Sequence, residues 1–132
     1  MKVKLERLNK GSHFKAINDD GHSLELSGEG NAVGPMQSVL MAAAGCSTID
    51  IVMILEKMRQ PLEDINVEVE GTRREEIPRY FTDIHLHYIL KGDLKEKKVK
   101  QAIDSSLEKY CSVSLMLEKA AKITSSYEII KD

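Results

Sequence analysis

Apolar spacing divides this chain into nine segments, three of strand type ahead of a long helical run and five segments behind it. Val3 and Leu5 alternate with charged neighbours, Phe14 and Ile17 flank a polar run, and Leu24 alternates with Leu26 across Glu25. Alternation of this kind predicts three half-buried strands. Asn9-Lys10-Gly11-Ser12 and Asp19-Asp20-Gly21 lie between them as turn signals, the second a hairpin candidate. Gly28-Glu29-Gly30-Asn31 closes the strand region in a loop. Gly34-Pro35 then opens a long helix, with proline at the first position, where its missing N–H costs nothing. From Val39 to Met58 apolar residues occupy nearly every side, the pattern of a helix buried all round. A small domain covers such a helix only if a sheet wraps it tightly or a second subunit helps.

Gln60-Pro61 ends the helix. Ile65, Val67 and Val69 next alternate with Asn66, Glu68 and Glu70, predicting a strand. In the strand that follows, Ile84, Leu86, Tyr88 and Leu90 share one face, while Asp83, His85 and His87 share the other. The polar run Gly71 to Pro78 joins the two. Leu94, Val99, Ala102, Ile103, Leu107 and Tyr110 keep helical spacing with charges opposite. Ser112 is placed to cap a further helix over Val113–Ala121, and Ile123, Tyr127 and Ile129 predict a last strand. The order is β-β-β-α-β-β-α-α-β, an α+β fold in a single domain spanning 1–132.

Composition narrows the function. At 132 residues and 42% apolar content the chain supports one real core, and with two Phe, four Tyr and no Trp that core is aliphatic. A formal net charge of −2 gives no electrostatic footprint for nucleic acid. The Lys95 to Lys100 cluster reads as a solvated helix face. The charged Met1-Lys2-Val3-Lys4-Leu5-Glu6 start is no signal peptide. Val39 to Leu55 is short for a membrane span and carries Asp50. A soluble, cytoplasmic protein is therefore expected, with neither nucleic acid nor membrane as partner.

Two cysteines, Cys46 and Cys111, are the only ones present. In a reducing compartment such a pair is more often catalytic or free than a permanent staple. Cys46 lies in the apolar helix, where a thiol commonly serves as a small hydrophobe. Ala42-Ala43-Ala44-Gly45 leaves room before it, and Ser47, Thr48 and Asp50 form a polar notch after it. Cys111 lies between two helices, just before the positive dipole end of the second, a position that lowers a thiol pKa. Neither sits in a Cys-x-x-Cys motif, and with four scattered histidines no metal site is expected. His85 and His87 fit the solvent face of a strand.

Together these contexts resemble a known family. The run Pro35-x-x-x-x-Leu40-x-Ala42-Ala43-x-x-Cys46 is similar to the first cysteine motif of the OsmC/Ohr proteins, thiol-dependent peroxidases named for osmotic induction and organic hydroperoxide resistance. Tyr110-Cys111-Ser112-Val113-Ser114 is similar to their second. Gly34-Pro35-Met36, Gly45-Cys46, Arg74-Glu75-Glu76 with Pro78, and Glu108-Lys109-Tyr110-Cys111-Ser112-Val113 resemble a shorter branch of that family. The resemblance implies an OsmC-like fold, with long central helices in an intertwined homodimer. It implies Cys46 as the peroxidatic thiolate, Cys111 as its resolving partner, a small organic hydroperoxide as substrate, a dithiol as reductant, and no cofactor.

The resemblance also implies an activating glutamate directly after the motif proline and an upstream arginine. Here Met36 takes the glutamate's place and Gln37 follows it. Only Arg7 lies upstream, in a predicted strand, so Arg73, Arg74 and Arg79 are the alternative supporting cations, with Gln37 as a neutral amide. The polar run that holds those arginines also reads as a solvated, salt-bridged loop. The leading expectation is an organic-hydroperoxide reductase. The alternative is a non-peroxidase member that binds a small apolar or thiol-reactive metabolite.

Overall fold

A computed structural model describes residues 1–131. The fold is a mixed α+β arrangement with two three-stranded sheets and three helices, in the expected element order. Two compact units divide between Val39 and Leu40, inside the first helix.

In the first unit, β1 (Val3–Arg7), β2 (His13–Asn18) and β3 (Ser23–Ser27) form an antiparallel meander. Asp19-Asp20-Gly21 makes the expected hairpin. The Asn18 side-chain oxygen accepts from the N–H groups of Asp20 and His22 at 3.0 and 2.9 Å, and Gly21 takes a φ of +85° that favours glycine. Helix α1 (Pro35–Lys57) begins at the predicted proline. Gln37 Oε1 accepts from the Gly34 N–H at 2.8 Å, half of a capping box.

In the second unit, β5 (Phe81–Gly92) is central, antiparallel to β4 (Leu62–Arg73) and parallel to β6 (Lys122–Ile130). Parallel neighbours need a long crossover. Helix α2 (Glu96–Ser105), a π-helical turn (Ser106–Tyr110) and helix α3 (Ser112–Leu117) supply it. Ile84, Leu86, Tyr88 and Leu90 are fully buried on one face of β5, as their alternation predicts. Ile51 and Leu55 of α1 and Val99, Ala102 and Ile103 of α2 complete that core. On the opposite face His85 and His87 are half-buried. The Ser126 hydroxyl lies 2.8 Å from His85 Nε2 and 2.6 Å from His87 Nδ1, and His87 Nε2 pairs with Glu128 at 3.2 Å.

Three expectations change. Helix α1 is not covered all round by this chain: Ala43, Ala44, Ser47, Ile51 and Leu55 form one buried stripe, while Met41, Ile49, Val52 and Met53 are exposed. One sheet reaches only one side of a helix. The second helical run does not stay regular through Leu107 and Tyr110, since its last turn widens into the π-helical turn. Helix α3 ends at Leu117 rather than Ala121, and its N-cap is Cys111 rather than Ser112.

Candidate thiol site

Cys46 sits at the centre of α1, half-buried, with open space beside it: a Cβ added at Gly45 would meet nothing within 4 Å. One turn on, Asp50 projects from the same side of the helix, as four-residue spacing requires. Cys111 approaches from the crossover. The π-helical turn ends where the Cys111 N–H donates to the Ser106 carbonyl at 2.6 Å, and the backbone then turns extended. The Cys111 thiol caps α3: Sγ accepts from the Ser114 N–H at 3.4 Å and donates to Ser114 Oγ at 3.1 Å.

Cys46 Sγ, Cys111 Sγ and an Asp50 carboxylate oxygen all lie within 4.8 Å of one another. Both cysteines are free thiols. Sulfurs at that range reach a bond of about 2.05 Å after a modest local closing. A buried polar spine holds the approach. The Ser106 hydroxyl lies 3.2 Å from both the Ser47 carbonyl and Asp50 Oδ2, tying the π-helical turn to α1. Ser47 Oγ lies 3.3 Å from the Ala44 carbonyl and shares a 2.7 Å hydrogen bond with the Tyr88 hydroxyl, which ties α1 to β5. Burial pushes the Tyr88 phenol up to about 12, against the opposing pull of its Ser47 bond.

The two thiols differ in environment. Cys111 is fully buried, and burial pushes its thiol up from the ordinary value. The Ser114 hydrogen bonds pull the other way, and neighbouring Cys46 adds a further upward push. The expected lowering at a helix start is therefore reversed. A six-residue helix offers only a small dipole, whereas loss of water penalises thiolate directly.

The supporting candidates have other partners. Arg73 Nε donates to the Arg79 carbonyl and Arg74 Nε to the Pro78 carbonyl, each at 2.6 Å. Arg79 Nε donates to the Arg74 carbonyl at 3.2 Å, and the Arg74 guanidinium stacks on Tyr80 at 4.2 Å. Gln37 caps α1. Among the described residues no hydrogen bond or ion pair joins an arginine to either thiol. Along the sequence Asp50 stands out as part of a notch and as a charge against a membrane span, and its four-residue offset from Cys46 is the signal that places it beside the thiol. Ser114 falls within the second cysteine motif and Tyr88 on the apolar face of β5, whereas Ser106 has no such signal. A cavity of about 470 Å³ adjoins the site through Asp50, and Met53, Ile54, Lys57, Met58, Ser105 and Tyr110 complete its lining.

With this geometry in place, likeness to known proteins is informative. Residues 28–126 match the family model described as OsmC-like protein. This chain belongs to the OsmC-like family. The chain is 51% identical over 124 residues to Protein YhfA of Escherichia coli strain K12, covering 92% of each. Among solved structures, a hypothetical protein from Aquifex aeolicus VF5 is 30% identical with a TM-score of 0.91, covering 99% of this chain and 96% of that one. A protein from Legionella pneumophila described as an organic hydroperoxide resistance protein OsmC shares the fold, with a TM-score of 0.74 at 19% identity and 97% of each chain covered. The OsmC-like fold inferred from two cysteine motifs is thus the fold of this chain.

Proposed function

We propose that this OsmC-like protein is a thiol-dependent peroxidase that reduces small organic hydroperoxides through Cys46 and Cys111. The observation that carries the reading is the convergence of two free thiols, 65 positions apart in sequence, to within 4.8 Å. Their unequal burial supports the division of labour. Cys46, the more accessible, attacks; Cys111, buried and held protonated, waits. The Cys46 thiolate attacks the distal peroxide oxygen, an S–O bond forms as the O–O bond breaks, and the alkoxide takes a proton to leave as alcohol. The Cys111 sulfur then attacks the resulting sulfenic acid, giving a disulfide and water. A dithiol reductant returns both thiols, which suits the reducing cytoplasm. On this reading Arg73, Arg74, Arg79 and Gln37 brace backbone and take no direct part in the thiol chemistry.

The working unit on this reading is a homodimer. Met41, Ile49 and Met53 of α1 are 55%, 62% and 52% exposed in the single chain, and a second copy is the simplest cover for such a face. The largely apolar cavity beside Asp50 favours a second reading, a non-peroxidase protein that holds a small apolar or thiol-reactive metabolite.

Consumption of cumene hydroperoxide in the presence of a dithiol separates the two. Wild-type protein consumes peroxide on the first reading, and the nearly isosteric Cys46→Ser variant does not. Full turnover by Cys46→Ser would sink the peroxidase proposal. Absence of turnover in wild type would favour the binding reading.

A further inference from the structure

The three side chains that meet at the thiol site also form a metal-ligand set. We propose that the reduced protein binds one thiophilic divalent cation of the zinc class through Cys46 Sγ, Cys111 Sγ and the Asp50 carboxylate, and that binding and disulfide formation exclude each other.

The donor chemistry selects the ion. Two sulfurs and one carboxylate suit a borderline-soft, tetrahedral cation, whereas magnesium and calcium take oxygen ligands. Bonds of about 2.3 Å to sulfur and about 2.1 Å to oxygen place neighbouring ligands roughly 3.5–3.8 Å apart in a tetrahedron. The three atoms already lie within 4.8 Å of one another, so each pair closes by at most a little over 1 Å. Cys46 and Asp50 stand one turn apart on a single rigid helix, which fixes two of the three ligands before any ion arrives.

The outer shell is also in place. Ser106 Oγ lies 3.2 Å from Asp50 Oδ2, and the Ser114 N–H reaches Cys111 Sγ at 3.4 Å. Ser114 Oγ, 3.1 Å from the same sulfur, accepts from the thiol now and donates to a thiolate after a hydroxyl rotation. Hydrogen bonds of this kind orient ligands and hold their affinity for a metal. Three protein ligands leave the fourth position to water.

Binding displaces up to two thiol protons and forms two metal–sulfur bonds, with no change in oxidation state. The cation's charge offsets the burial that otherwise opposes Cys111 ionisation. Oxidation to the disulfide converts both sulfurs to poor ligands. If the peroxidase reading holds, and only then, zinc also slows peroxide reduction and a chelator restores it.

The test is a calorimetric titration of the reduced full-length protein with Zn²⁺, alongside Cd²⁺ binding followed by its thiolate charge-transfer absorbance. We expect one equivalent bound with proton release. Binding should disappear in Cys46→Ser and Cys111→Ser and weaken tenfold or more in Asp50→Asn. It should survive in the His85→Gln/His87→Gln double variant, which removes the imidazole pair on β5. Wild-type protein oxidised with diamide should not bind, an arm that needs no substitution if a variant fails to fold. Retained binding in the oxidised protein or the serine variants, loss in the histidine variant, or no thiolate absorbance would overturn the inference. Peroxide consumption in the presence of chelator is scored separately, so failure of either proposal leaves the other standing.

Discussion

Tyr88 shows how one buried hydroxyl serves position and stability together. Its ring is enclosed in the core of the second sheet, and its hydroxyl meets Ser47, the residue that follows Cys46 in α1. The folded phenol titrates at about 12 against an ordinary 10.0. The unfolded chain therefore loses this proton first as pH rises, so the folded state binds more protons and stability falls with pH in that window. The contribution is complete below the unfolded value and is lost as pH climbs through the folded one. Urea unfolding of wild type should weaken between about pH 10 and 12, and Tyr88→Phe should flatten that slope. At neutral pH the same variant should cost about 1 kcal/mol, the net worth of a typical hydrogen bond. An unchanged slope would show that Tyr88 titrates like an exposed phenol.

At the scale of elements, the place where β5 ends beside the start of β4 has little steric freedom. Gly92 ends β5 opposite Leu62 with a φ of +142°, beside a register shift between Leu62 and Asp64. A side chain there would drive a Cβ into the Pro61 carbonyl oxygen, which belongs to backbone and cannot swing aside. Gly92→Ala should destabilise by at least 2 kcal/mol, combining backbone strain of about 1–3 kcal/mol with the clash. The denaturant midpoint checks this; a shift smaller than that of Gly21→Ala, where no atom lies within 4 Å of the added Cβ, would contradict the account. The crossover is as demanding in another way. The buried Ser106 hydroxyl at the π-helical turn is what brings Cys111 back toward α1.

For the molecule as a whole, the decisive feature is the uncovered side of α1. At 23 residues it is long and apolar enough to cross a membrane by length and composition alone, and it exposes Met41, Ile49, Val52 and Met53. Burying apolar surface gains about 25 cal/mol per Å² removed from water, so closing this face favours association. Sedimentation should return a dimer at micromolar concentration. Ile49→Glu, which sets a charge in the face without disturbing the buried stripe, should shift the protein toward monomer. A wild-type monomer under those conditions would remove the dimer from the proposal.

Local pattern alone determined most of the architecture. Period-two spacing in β5 marked its core face residue by residue, Pro35 marked the start of α1, and two short motifs around the cysteines marked the fold. These signals are legible because each depends on residues within a turn or a strand of one another. Only the tertiary structure decided the character of the site. Desolvation, set by everything packed around Cys111, reversed the shift that its place before a helix suggested. Asp50 joined the thiols because the crossover folds back onto one side of α1, a contact no spacing along the chain encodes. The same limit explains α1, whose apolar sequence demands cover on every side but cannot say which surface supplies it.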